Sequence, residues 1–243
     1  MWALCKKEIS TFFGSLTGWL IILVFFLITA LFLWVFPGDM NILESGYASL
    51  EPLFFLAPWV FMFLVPAITM RMIAEERRTG TFELLLTKPL TELQIVLAKY
   101  LASLVLIFFS LIPCLIFFVS VYLLGNPPGN IDTGATWGSF IGLFFLASVY
   151  ASAGLLASSL TQHQIVAFVV GAALCFFLYL GFDFLGQLPV FSAVEYHLVS
   201  LGIQEHYQSV SRGVLEIADM AYFISVSAVI LLFTSLFVQS RKW

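Results

Sequence analysis

Apolar runs of about 20 residues, separated by short polar breaks, fill most of this chain. Runs of that length are what a helix needs to cross a bilayer, and they lack the ten-residue alternation of a membrane barrel. The pattern predicts six spans, at about 18–36, 53–70, 100–124, 137–160, 165–185 and 221–238. Pro37-Gly38 closes the first, Pro58 and Pro66 are expected to bend the second, and Pro113 lies inside the third. Gly125-Asn-Pro-Pro-Gly129 is a strong turn signal, whereas only Thr161-Gln162-His163-Gln164 separates the fourth span from the fifth. Ahead of the first span, residues 2–16 place Trp2, Cys5, Ile9, Phe12, Phe13 and Leu16 on one helical face and Lys6, Lys7, Ser10 and Thr11 opposite. That is the pattern of a helix lying in the membrane interface; a plain tail before the first span is the other reading. No cleavage-site pattern precedes the long span, so no removable signal peptide is expected.

Composition agrees. The 243 residues are 61% hydrophobic and only 10% charged, against about 25% charged in a soluble domain. So little charge cannot cover a globule, and lipid must replace the missing polar surface. The distribution of charge says more than the net value of −4. Lys6, Lys7, Arg71, Arg77, Arg78, Lys88, Lys99, Arg241 and Lys242 fall on one side of a six-span layout, and only Arg212 falls on the other. By the positive-inside rule both ends are cytoplasmic and residues 186–220 face outward. Cys5, Cys114 and Cys175 are scattered without metal-ligand or disulfide spacing.

Arg71–Lys99 holds five of the ten Lys and Arg residues, and an island of charge between two apolar runs is expected to sit in water at the membrane surface. Arg71–Arg78 extends the second span, and Thr79-Gly80 ends it. Thr81–Thr87 is a short helix with Phe82, Leu85 and Leu86 on one face and Glu83 in its first turn. Pro89 stops it, and Thr91-Glu92-Leu93-Gln94 opens the next helix with a capping box. A connector that only fixes topology has no use for Leu84, Leu85 and Leu86 at the water boundary; those side chains call for a partner, whether the headgroup layer, the rest of this protein or another protein.

Glu75-Glu-Arg-Arg-Thr-Gly-Thr-Phe-Glu-Leu-Leu-Leu-Thr-Lys-Pro-Leu-Thr91 resembles the first cytoplasmic loop of ABC-2 type permeases, membrane subunits of ATP-driven transporters. Residues 192–197 and 211–223 are similar to the region before the last span in gliding-motility (GldF-type) permeases and their relatives in nitrous-oxide-reductase maturation. The resemblance implies a coupling helix docking into separate ABC ATPase subunits through Glu75, Glu76, Arg77, Arg78, Gly80, Thr81, Phe82, Glu83, Leu84 and Leu85. Phe82, Leu84 and Leu85 would supply apolar contacts. Thr161, Gln162, His163 and Gln164 would be a second, smaller contact, or simply a tight turn. It also implies a second permease chain as partner beside the lipid bilayer, no nucleic acid, and a bacterial inner membrane location. ATP and Mg would be bound by the partner ATPase, with no cofactor in this chain.

Opposite the island, Ser192-x-x-Glu195 is a capping box, Val194, Leu198 and Leu201 share a face, and Gly202 can end that helix. Two short helices re-entering the outer leaflet fit this region. Glu195 and His197 are two apart and so lie on different helix faces; with Glu205 and His206 they read as solvated polar residues rather than a metal site. Gly134, Gly138, Gly142, Ala147, Ala151 and Gly154 form a strip of small residues that lets helices approach closely. No Gly-x-x-x-x-Gly-Lys-[Ser/Thr], His-Glu-x-x-His or Gly-x-Ser-x-Gly occurs. No charged residue lies in the middle of a span, where ion-coupled pumps keep theirs. The expected fold is therefore an all-α integral membrane protein, one domain over 1–243, with an interfacial helix, a coupling helix and six spans. Its expected role is a transporter permease, and a membrane anchor for a cytosolic partner is the alternative.

Overall fold

The computed structural model describes residues 1–87, 89–191, 195–214 and 216–240. Lys88, Ser192, Val194, Arg241 and Lys242, and the side chains of Leu84 and Leu86, lie outside the described residues. The described residues are mostly helical and form no strand, and six helical segments are long and apolar enough to cross a membrane: 16–34, 51–78, 92–124, 133–160, 164–186 and 217–239. In chain order the helices are α1 (Trp2–Phe13), α2 (Leu16–Trp34), α3 (Ile42–Ser45), α4 (Glu51–Arg78), α5 (Thr81–Leu86), α6 (Glu92–Leu111) and α7 (Leu115–Leu124). They continue with α8 (Thr133–Leu160), α9 (Gln164–Phe176), α10 (Phe182–Gly186), α11 (Glu195–Val199), α12 (Ile203–Ser211) and α13 (Ile217–Ser240).

Two of the six spans are interrupted. Pro113 cannot donate to the helical ladder, and a 3₁₀ turn at Ile112–Cys114 joins α6 to α7. The fifth span is interrupted by a π-helical turn at Phe177–Gly181, which nothing in its apolar run announces. α4 runs unbroken through both of its prolines. Pro58 leaves the Phe54 carbonyl without its helical donor, and the Tyr207 hydroxyl supplies one at 2.8 Å. Burial, then the nearby Tyr179, pushes the Tyr207 phenol well above its usual range, so it keeps the proton it donates.

The fourth span is the hub. In its most apolar window 78% of residues are buried, against 28% for the first, fifth and sixth spans. Its strip of small residues makes this possible. A Cβ on Gly154 would stand 2.1 Å from the Thr69 hydroxyl oxygen of α4, and one on Gly142 would stand 1.9 Å from a Val210 methyl of α12. Gly138 meets the backbone of Gly213. The strip thus packs helices within the chain.

The N-terminal helix is shorter than its apolar pattern suggests. It ends at Phe13, and the Ser15 hydroxyl caps α2 by accepting from the Gly18 amide. Leu4, Cys5 and Phe12 are buried, whereas Trp2 and Leu16, assigned to the same face, are 74% and 79% exposed. The inward face is therefore Leu4/Cys5/Glu8/Phe12, turned against α6.

All three cysteines are free and buried. Burial, and then the neighbouring Glu8 carboxylate, pushes the Cys5 thiol above its ordinary value, which keeps it as the unreactive thiol at neutral pH. Native protein should therefore resist a membrane-impermeant maleimide, and all three thiols should label after denaturation. Rapid labelling of Cys5 in the folded protein would contradict its placement against α6.

Candidate functional site

At the basic end, α4 terminates where the sequence leads it to. The Thr79 hydroxyl donates to the Glu75 carbonyl at 2.9 Å, and Gly80 adopts φ +72° with open space around it. That left-handed conformation suits glycine, and it reverses the chain into α5. Within α5, Phe82 is buried at 6% exposure and Leu85 packs against the core. The Arg77 guanidinium stands 5.4 Å from the centre of the Phe82 ring, within cation–π range. Thr81 and Glu83 are exposed. Phe82 and Leu85, expected as apolar contacts for a partner, instead seat α5 on its own protein, and the described outward surface is polar. The Leu84 side chain lies outside the described residues. After α5, the capping box forms as the sequence predicts: Gln94 and Thr91 exchange backbone-to-side-chain hydrogen bonds at 3.3 and 3.2 Å.

Beneath this loop lies a cluster of buried charge. Lys99, on the inward face of α6, is fully buried. Its ammonium donates to Glu8 Oε1 of α1 at 2.8 Å and to the Met72 carbonyl of α4. It also stands 2.6 Å from Glu76 Oε2 of α4. That contact is off the axis of a hydrogen bond, since Glu76 Oε2 has no hydrogen-bond partner, so it acts as a charge contact. Lys7 donates to the other Glu76 oxygen at 2.7 Å. Burial disfavours the Lys7 ammonium, but the Glu76 hydrogen bond and the Glu76 and Glu8 charges outweigh it and raise its pKa. Two cations and two carboxylates from α1, α4 and α6 thus neutralise one another, which is what a low-dielectric site requires. Water at the membrane surface is therefore the wrong setting for two members of the island, Lys99 and Glu76. A cleft of about 410 Å³ opens beside them, lined by Arg71, Glu75 and Thr81 as well as Lys7, Glu8 and Glu76. The Glu75 carboxylate pairs with Arg78 at 2.8 Å on the exposed side.

The same end of α4 is bound to the fourth span. The Ser158 hydroxyl donates to the Met70 carbonyl at 3.0 Å and accepts from the Ile73 and Ala74 amides at 3.1 and 3.0 Å. The Arg77 guanidinium donates to the Ser159 carbonyl. Thr161 to Gln164 follow directly, with Gln162 and His163 exposed. The structure thus brings the short turn to the same end as α5, and Arg77 touches both neighbourhoods.

At the opposite end, Ile203, Tyr207 and Val210 of α12 are buried. His206 is more than a solvated polar residue: its ring stacks on Tyr222 at 3.9 Å, and Nδ1 lies 2.7 Å from Asp219 Oδ1. Nε2 is 3.0 Å from the Ser200 carbonyl. Among the described residues no group of three His, Cys, Asp or Glu side chains is arranged to hold a metal.

A family model described as ABC-2 family transporter protein matches residues 2–238. The chain belongs to this family. A search of curated proteins finds no match. As an ABC-2 protein it is a multi-pass membrane permease subunit of an ABC transporter, a class whose ATP hydrolysis belongs to an ABC ATPase partner. Within this ABC-2 chain, the residues singled out at 75–85 gather at one end, but Glu8, Lys99 and Ser158 join them without having been singled out. Glu8 was detectable: it falls three and four residues from Cys5 and Phe12, so it lies on the helix's apolar side. Lys99 follows the same logic, four residues after Ile95 and three before Ala102. Ser158 carried no signal in its Ala-Ser-Ser surroundings.

Proposed function

We propose that α5 and the end of α4 are where separate ABC ATPase subunits drive this permease, and that the basic end faces the cytoplasm. The observation that carries this reading is the fixing of α5. Gly80 turns it back against α4, Phe82 lies under Arg77, and Arg77 and Ser158 tie α4 to the fourth span. A force on the exposed Thr81 and Glu83 of α5 would reach two spans through these contacts. Thr161–Gln164 would meet the ATPase as a second contact. The remaining parts of the proposal rest on the resemblance: a dimer with a second permease chain in a bacterial inner membrane, serving export or a gliding-type surface machine, with α11 and α12 re-entering the outer leaflet.

The test is to co-express the chain with a candidate ABC ATPase subunit and to replace Glu83 with Arg. ATPase binding should fall at least tenfold, while the permease keeps its folded yield, because Glu83 is exposed. Unchanged binding together with unchanged ATP turnover would sink the coupling assignment. A reporter fused after Trp243 should read cytoplasmic; the opposite reading would overturn the orientation.

A further inference from the structure

We infer that His206 and Asp219 form a proton-binding site at the end opposite α5, and that the bound proton clasps the α11–α12 turn to the last span.

The hydrogen bonds of His206 require it. Nδ1 lies 2.7 Å from Asp219 Oδ1, and Nε2 lies 3.0 Å from the Ser200 carbonyl oxygen. A carbonyl only accepts, and so does an ionised carboxylate. A neutral imidazole has one N–H to give, so it serves one of these acceptors and not both. Both bonds form only when the pair holds one further proton, on the ring or on the Asp219 carboxyl. The surroundings of Asp219 call for the same proton. The residue is 6% exposed, and its Oδ2 is buried without a hydrogen-bond partner. A buried carboxylate must meet a cation or give up its charge. Among the described residues no Lys or Arg pairs with Asp219, and its one ion-pair contact is His206. The elements packed here carry other ionisable groups: Glu205 and Arg212 on α12, Glu195 and His197 on α11, Asp183 on α10, Glu51 on α4 and Glu216 just ahead of α13. None of these forms an ion pair with His206 or Asp219, and α8 has no acidic or basic side chain.

What the proton fastens follows from the chain order. Ser200 and Leu201 lie in the turn between α11 and α12, and Asp219 and Tyr222 lie in the first turns of α13. The His206 ring stacks on Tyr222 at 3.9 Å, and the Tyr222 hydroxyl donates to the Leu201 carbonyl. Two adjacent carbonyls of the turn are thus held by two stacked rings. A tyrosine hydroxyl ordinarily keeps its proton through the neutral range, so of the two ties only the one to Ser200 answers to pH. Proton loss leaves one acceptor without a donor: either the Ser200 carbonyl is released, or a bare ring nitrogen faces the carboxylate. The clasped form holds one proton more than the released form, so acid favours closing and alkali favours opening.

The test uses two variants with opposite expected effects. Asp219→Asn offers an amide N–H to Nδ1 of a neutral ring and leaves Nε2–H for Ser200, so both bonds form without the extra proton. His206→Phe keeps a ring against Tyr222 but removes both bonds. Spin labels at exposed Tyr196 on α11 and exposed Ile217 on α13 report the separation in the full chain in lipid nanodiscs. The pH is raised from about 6 to about 9, across the range in which histidine ordinarily sheds its proton. In the otherwise unaltered chain the distance should grow by several ångströms and return on reacidification. With Asp219→Asn it should stay short throughout, and with His206→Phe it should be long throughout. A merely structural ion pair predicts the reverse for Asp219→Asn, since losing the charge would loosen the turn. A distance that ignores pH in the unaltered chain, or one that still changes with pH in Asp219→Asn, would overturn the inference. A short distance in His206→Phe would do the same, and if that variant does not fold, Asp219→Asn decides alone.

Discussion

Replacing Lys99 with Met should be among the most damaging single changes in this protein, costing on the order of 3–5 kcal/mol of stability. The side chain is fully buried and is the link between Glu8 and Glu76. Methionine fills similar space but supplies no charge, so two carboxylates are left facing one another, with only Lys7, 53% exposed, to offset them. Taking away one member of a buried ionic cluster costs far more than the intact cluster contributes, because desolvation of the survivors is no longer offset. The prediction has an internal control. Adding Glu8→Gln to Lys99→Met removes one of the stranded charges, so the double variant should recover part of the loss, and the cycle should show a coupling of about 1–3 kcal/mol. Thermal unfolding of the detergent-solubilised protein reads both values. Additive losses would mean that Glu8 and Lys99 do not form the pair described.

The second large effect concerns the crossing of α4 and α8. Gly154→Leu should abolish correct packing, and even Gly154→Ala should destabilise by about 1–3 kcal/mol. A Cβ there falls 2.1 Å from the hydroxyl oxygen of Thr69 and 3.2 Å from its Cβ. Thr69 is completely buried, and its hydroxyl already donates to the Val65 carbonyl at 3.0 Å, so it cannot yield without losing that bond. Gly134 on the same helix is the contrast: its Cβ would meet only the Asp132 carboxylate, at 3.4 Å. Gly134→Ala should therefore be within about 0.5 kcal/mol of neutral. Folded yield by size-exclusion chromatography and the unfolding temperature should separate the two positions. Equal tolerance at both would contradict the close approach of α4 to α8.

The two predictions differ in how visible their residues are in the sequence. The six spans follow from apolar run length, and the Gly138/Gly142/Gly154 strip follows from helical spacing, so the crowded fourth span was within reach. What the strip packs against was not: Thr69 and Val210 lie far off in the chain, and nothing local links them to glycines. The loop was legible where the backbone itself decides, at Gly80 and at the Thr91–Gln94 box. It was misleading where burial decides. Charge looks like surface in a sequence because an isolated charge belongs in water, and Lys99 and Glu76 are inside only because Glu8 and Lys7 arrive from residues about 70 to 90 positions away. Of the apolar face of α5, Phe82 and Leu85 pack on the protein's own core, Phe82 beneath Arg77, which is one of the partners that face left open. His206 shows the same lesson at the far end, where Asp219 and Tyr222 come from the start of the last span.

The central claim, that the ATPase pushes on α5, is tested most directly by photocrosslinking in the purified permease–ATPase complex. A photoreactive phenylalanine analogue is placed singly at exposed Thr81, Glu83 and Gln162, and at exposed Tyr196 on α11 as the control. The account predicts crosslinks to the ATPase subunit from 81 and 83, a weaker one from 162, and none from 196. Crosslinks from 196, or none from 81 and 83 in a complex that still hydrolyses ATP, would contradict it.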